Sequence, residues 1–435
     1  MTSLKKSSNT YTLITTFLLI FIIQTSCKND SENEYKWAEN LTEAYAALHK
    51  VRNLKSADLI FEATENMPVK NWENYFVTAT IYAEEEQFDK AFLSLEKAIT
   101  NGLTDSSLIA DYPDFKNLKA HPEYDRILRL VQRARADYLG NIENPDLLKK
   151  LENMWVQDQQ ALSAYENELR MLDSTATYRD YQELFKPVEE IWEINKNKLD
   201  SIITIHGWPG NKLVGKEGTK IAWAIPQHHP DVFYKQKNLE LIKRAVAEGD
   251  LAPNFYAELS DRIARETWQK QTYGASMDQY APYPIEDPSN VNKRRFELGL
   301  MEPIEVYAYY HGIEYKAPTK KEAEILSRES FRKAQNHYVK FDDFIKENTP
   351  DSANTYILKA INFYGDISNQ QLFEAAVKLA PLSNDRSKRI AENILEVLVW
   401  RKWTNRLIIP DHEAFTSLKE RDEWVHLEEM IEKSL

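Results

Sequence analysis

The side chains able to do chemistry gather in one stretch of the chain. Gln227-His228-His229 closes a short apolar run, Ile221 to Ile225. An imidazole at that point, with an ordinary pKa near ~6.5, can give or take a proton at neutral pH. Asp261 is a carboxylate of the kind that orients such a ring, and Arg262 beside it can neutralise an anionic substrate group or a developing oxyanion. Gln271 and Tyr273 add neutral donors, and Gly274 lets backbone approach a ligand closely. One reading makes His228 and Asp261 catalytic, with Gln227, Arg262, Gln271, Tyr273 and Gly274 holding the ligand. The other makes Gln227, His228, Asp261 and Arg262 a buried polar network that pins irregular loops to helices.

Other chemistries find less material. His206, His228, His229 and Asp231 are the clustered metal-ligand candidates, but adjacent histidines point apart on a helix, and there is no HExxH, HxH or cysteine pair. Gly215-Lys216-Glu217-Gly218 lacks the GxxxxGK[ST] spacing of a phosphate loop, and no GxSxG elbow occurs. No metal and no cofactor is therefore expected.

Around these residues stands an ordered set of short strings. Gly207-Trp208-Pro209 is followed by Val214-Gly215, Gln227-His228, Asp261-Arg262, Gln271-Thr272-Tyr273-Gly274, Asp287-Pro288, Arg294-Arg295 and Gly299-Leu300. The order resembles a bacterial family of unknown function whose members often follow tetratricopeptide-like helices; the likeness covers roughly residues 150 to 312. Trp268 departs from it, standing where a glycine is common, and so do Ala275-Ser276. The resemblance implies a fold and a candidate site and names no reaction. Asp287-Pro288 with Arg294-Arg295 reads as a clamp, an ion pair fastening a loop onto the next helix. The tyrosines at 273, 280, 283, 307, 309 and 310 offer stacking surfaces, although helix-spaced rings more often belong to a core.

The elements that position these residues are helices. Only 11 glycines occur in 435 residues, which disfavours turn-rich β architectures, and 8 of the 11 fall between residues 207 and 312 with 8 of the 17 prolines. Phe88, Ala91, Phe92, Leu95, Ala98 and Ile99 share one helical face, and Tyr75, Ala79 and Tyr82 precede them. That order resembles a tetratricopeptide repeat, in which small side chains let paired helices approach and rings fill the gaps. Further on, Asp111, Phe115, Leu118, Lys119 and Glu123 recur as Asp411, Phe415, Leu418, Lys419 and Glu423, and Tyr124, Ile127, Leu130 and Val131 are answered by Trp424, Leu427, Met430 and Ile431. The constant offset predicts one closing element used twice, a short helix, a turn and a longer helix. The expected fold is predominantly all-α. A tetratricopeptide-like module over 35–140 and a second helical-repeat module over 320–435 flank a helical domain over 144–312, which has long loops and room for a small hairpin. Pro187 is expected to break or restart the long helices at 144–201.

The N-terminus supplies an address. Lys5 and Lys6 precede an apolar stretch, Leu13 to Ile23, too short to span a ~30 Å hydrocarbon core. Gln24-Thr25-Ser26-Cys27 follows, and Cys27 is the single cysteine. This resembles a bacterial lipobox, which implies a signal peptide over 1–26, diacylglycerol on Cys27 and an acidic tether over 27–34 similar to those of Bacteroidota surface lipoproteins. Lys28 after the cysteine resembles outer-membrane sorting. With 68 acidic against 55 basic residues and a net charge of −13, nucleic acid is an unfavourable partner. The expectation is a lipid-anchored envelope protein, most simply a binding or scaffolding lipoprotein whose helical repeats hold a peptide or protein partner. The alternative is a hydrolase or transferase using His228, Asp261 and Arg262.

Overall fold

The computed structural model describes residues 36–67, 70–172, 178–300 and 302–434. The segments expected as signal peptide and tether, with Cys27, lie outside the described residues. Among the described residues the fold is all-α, and the expected hairpin reduces to two isolated bridges, Gln271 with Ile285 and Met277 with Pro282. The chain divides into two compact units. Of the described residues, those up to 225 with 244–254 and 300–315 form the first; 226–243, 255–299 and 316 onward form the second. The 144–312 stretch, expected as one domain, contributes to both.

In the first unit, helices Leu54–Glu65, Trp72–Glu84 and Phe88–Thr100 pack in sequence order. Asn53 and Ser56 cap the first reciprocally, and Asn71 caps the second through the Asn74 amide. Tyr75, Ala79 and Tyr82 face Ala91, Leu95 and Ala98 in one buried cluster, so the small-residue spacing serves close helix approach as expected. A long hairpin follows, Pro145–Leu169 and Tyr178–His206. Its second helix runs on through Pro187, against expectation. The proline costs about 3 kcal/mol and one backbone bond; burial of Val188 and Leu199 beyond it, and the Phe185 ring packed on Tyr165 and Trp192, hold the helix through it.

Two of the glycine strings are backbone devices of this unit. Gly215 interrupts helix Asn211–His228 with φ +70°, and a Cβ there would lie 2.1 Å from the Tyr138 hydroxyl. A Cβ on Gly210 would lie 1.8 Å from Asp250, whose carboxylate accepts from the Lys212 amide at 2.9 Å. Glycine is required at both positions by close approach, and at Gly215 also by the left-handed backbone.

The core of the second unit is built by helices Lys320–Lys346, Pro350–Ile361, Asn369–Leu379 and Asp385–Trp400, with Asp422–Lys433 closing it. Thr319 with Glu322 and Ser368 with Gln371 form capping boxes. The repetition at offset 300 is structural and longer than the sequence comparison indicated. Both copies place a short 3₁₀ helix (Pro113–Ala120; Glu413–Phe415) before a longer α-helix, with Phe115 and Leu118, and Phe415 and Leu418, fully buried. The backbone bonds match too: Phe115 to Tyr112 and Phe415 to His412, Tyr124 to His121 and Trp424 to Arg421. Upstream, Ala91, Leu95 and Ile109 correspond to Ala391, Leu395 and Ile409, all buried. Left-handed residues turn the backbone in both copies, at Gly102 and Lys402.

One carboxyl of this module carries a pH dependence. Burial, reinforced by Glu392 and Glu423, pushes Glu396 up to about 7 from an ordinary 4.5. A carboxyl raised in the folded state carries no penalty below about 4.5, where folded and unfolded chains are both protonated. Its full penalty applies above about 7, where both are ionised. Glu396→Gln is therefore expected to stabilise the fold by about 1–3 kcal/mol at pH 8, discounted for partial solvent access, and by almost nothing at pH 4.5. Melting curves of both proteins across that range test it; a benefit independent of pH contradicts the assignment.

Candidate functional site

The site is built on helix Pro253–Glu266 and the loop after it. Phe255, Ala257, Leu259, Asp261 and Ile263 are buried along it, on more than one face. The helix ends in a Schellman turn: the Trp268 amide bonds the Arg265 carbonyl at 3.1 Å, and the Gln269 amide bonds that of Ala264 at 2.7 Å. The turn needs a left-handed residue, and Trp268 supplies it at φ +53°. This is why glycine suits the position. Tryptophan is tolerated because its ring packs on the core of the C-terminal helices and because its carbonyl accepts from the Gly365 amide and from Arg401, both at 2.8 Å.

Asp261 holds the loop from beneath. Fully buried, it accepts from the backbone amides of Thr272 (2.8 Å), Tyr273 (3.0 Å) and Ala275 (2.8 Å). Burial raises its pKa, while the three amides and the nearby Arg295 charge pull it down. Every one of these partners donates, so the carboxylate is the form the pocket is shaped to receive. Gln271 is equally enclosed; its amide donates to the Ser276 and Tyr283 carbonyls and accepts from the Ser276 amide at 2.8 Å. Arg294 and Arg295, on helix Val291–Leu298, complete the frame. Arg294 reaches the carbonyls of Thr272 (2.9 Å), Glu286 and Asp287 (3.1 Å), and Arg295 that of Tyr273 (2.9 Å). The clamp expected as an ion pair thus works through carbonyls. Asp287, left-handed at φ +42°, turns its carboxylate to Ser289 and Asn290, whose hydrogen bonds hold it below the usual carboxylate range.

The remaining candidates lie elsewhere in the local structure. His228 ends helix Asn211–His228 and is half-buried, as is Gln227, whose buried Oε1 has no hydrogen-bond partner. Arg262 pairs with Glu266 one turn on, at 2.9 Å, and Glu266 also takes the buried Lys235. Burial lowers the Lys235 pKa, against the attraction of Glu266. Tyr273 packs edge-on against Tyr256, and Gly274 is left-handed at φ +69°. The structure brings Asp261, Gln271, Tyr273 and Gly274 together around one loop, and the Asp261 oxygens are taken by that loop's amides.

Beside the pinned loop, within the second unit, opens a cleft of about 1370 Å³. One wall is Ser260, Ile263 and Ala264 of the Pro253–Glu266 helix with Lys270 and Thr272; a second is the 284–290 segment; a third is the first three turns of helix Lys320–Lys346, with Gly365 at the rim. None of the residues named from sequence as catalytic or ligand-binding lines it, though Ser260 and Thr272 adjoin Asp261 and Gln271 in sequence. On one side Lys270 reaches Asp366 at 2.6 Å, and Ser330 donates to the same carboxylate. Lys270, Lys320, Ser327, Arg328 and Ser330 were not singled out by sequence. Their one signal is the left-handed Asp287-Pro288 turn, which borders the cleft.

Residues 146–316 match a protein family described as a family of unknown function (DUF6624). The match coincides with the ordered strings. It contains the loop, its pins and two walls of the cleft, whereas the Lys320–Lys346 wall and Gly365 lie beyond it. No curated protein and no solved structure matches the chain.

Proposed function

We propose that the chain is a lipid-anchored binding protein of the cell envelope, held by acyl chains on Cys27, whose ligand occupies the cleft of the second unit. The observation that carries the binding reading is the cleft itself, an open volume whose 284–290 wall is held by Arg294 and the Gln271 backbone and whose Thr272 is held by Asp261 and Arg294. A fixed wall is what a preformed ligand site requires. Hydroxyls, amides and charges of both signs line it, and the side chains chosen as acid and base do not. This supports binding over hydrolysis or transfer.

The test is native mass spectrometry of the protein extracted from its own envelope. A fraction of the wild type is expected to carry additional mass that Ser327→Trp, an exposed substitution filling the cleft, removes without lowering the melting temperature. Equal bound mass in both proteins, or none in either, contradicts the reading. For the anchor, Cys27→Ser is expected to move the protein from the membrane pellet to the soluble fraction.

A further inference from the structure

We infer that the ligand of this cleft is a short peptide segment bearing both acidic and basic side chains; the inference rests on the cleft being a binding site. Its volume, about 1370 Å³, exceeds the ~300–1,000 Å³ of ordinary small-molecule pockets and suits an extended ligand. Its lining carries both signs. Lys320 and Arg328 stand against Glu286, Asp287 and Glu324, while Lys270 is already paired with Asp366. A polyanion would meet the three carboxylates and a polycation the two unpaired bases, so a ligand of one sign is disfavoured on part of the wall whichever sign it has. A chain carrying both signs is complementary to both sets.

The neutral lining points the same way. Leu239 and Leu326 offer aliphatic surface and Ile263 and Ile285 a buried edge, while Ser260, Gln269 and Ser327 place donors and acceptors beside them. Apolar and hydrogen-bonding contacts side by side suit an extended backbone with side chains. Among the lining residues there is no Phe, Tyr or Trp, and so no ring face of the kind on which nucleobases stack. Specificity would then be divided along the chain. The matched segment supplies the pinned loop with Glu286 and Asp287, and the C-terminal module supplies Lys320, Glu324 and Arg328.

Fluorescence polarisation with the full chain in detergent micelles tests this, using four labelled heptapeptide pools on a common apolar background: mixed-charge, acidic, basic and uncharged. Maltoheptaose serves as competitor. The mixed-charge pool is expected to bind at least tenfold more tightly than the others, to weaken at least tenfold with Ser327→Trp, and to weaken as salt rises from 50 to 500 mM. Preference for a pool of one sign or for the uncharged pool, displacement by maltoheptaose, no binding by any pool, or binding indifferent to Ser327→Trp each overturns the peptide assignment. If envelope-derived mass is still lost from Ser327→Trp when the pools fail, the cleft remains a site and only the ligand class falls.

Discussion

Asp261→Ala is expected to lower the stability of the fold by about 3–5 kcal/mol, the range for breaking a buried charged group away from its partners. The substitution strands three loop amides at once, those of Thr272, Tyr273 and Ala275, and leaves the buried Arg295 without the nearby carboxylate. For a unit of this size the melting temperature falls by roughly 10 °C. Asp261→Asn separates charge from shape. Its amide oxygen can keep one pair of bonds, but its NH₂ group then faces another N–H donor, so about half the loss is expected. Thermal and urea melts of the three proteins measure the series. The result also decides between the two roles the sequence left open. A pin is read in the melting temperature of Asp261→Asn, whereas a residue that only orients a catalytic imidazole would leave melting unchanged. An unchanged melt for both variants would refute the pinning role.

The pinning role shows what could and could not be read from the residues. Helical period and small-residue spacing sufficed for Tyr75, Ala79, Ala91 and Leu95, because a helix-pairing face is a local pattern that burial then enforces. The closing element was legible at Phe115 and Phe415 because two copies share it, and the backbone turns at Gly102 and Lys402 extend that repetition beyond recognisable side chains. The ordered strings located the loop, and the alternative of a polar network named Asp261 but not Gln271, which holds the same loop. What stayed hidden is the cleft. Ser260, Lys320, Ser327 and Arg328 are ordinary surface residue types, with no spacing that marks them, and they meet only because helix Lys320–Lys346 passes the loop. Pro187 misled for a related reason: its cost is local, and the buried seam that offsets it lies along the rest of the helix.

Arg401 is the second position where a large effect is expected, and it ties the loop to the C-terminal helices. Its guanidinium donates to the Thr267 carbonyl (2.7 Å), the Trp268 carbonyl (2.8 Å) and the Asn369 side chain (2.7 Å), all of them neutral acceptors. Burial pushes its pKa down to about 10, still charged at neutral pH. Removing it strands the Thr267 carbonyl, leaves the Trp268 carbonyl with the Gly365 amide alone, and withdraws support from Trp268, whose left-handed backbone depends on its surroundings. Arg401→Ala is expected to cost about 2–4 kcal/mol, since an orphaned buried acceptor is worth ~1–3 kcal/mol and the charged hydrogen bonds to Trp268 and Asn369 are lost with it. Arg401→Lys should recover less than half of this, because one ammonium cannot span acceptors that a planar fork reaches together. Asn369→Ala in the Arg401→Ala background isolates the pairwise contribution, with a coupling of about 0.5–3 kcal/mol expected from urea melts. Full rescue by lysine, or zero coupling with Asn369, would mean the guanidinium acts only by filling space. Because the loop that Arg401 grips at Thr267 and Trp268 continues into Lys270 and Thr272 of the cleft wall, Arg401→Ala should also weaken occupancy of the cleft, an effect Glu396→Gln should not share.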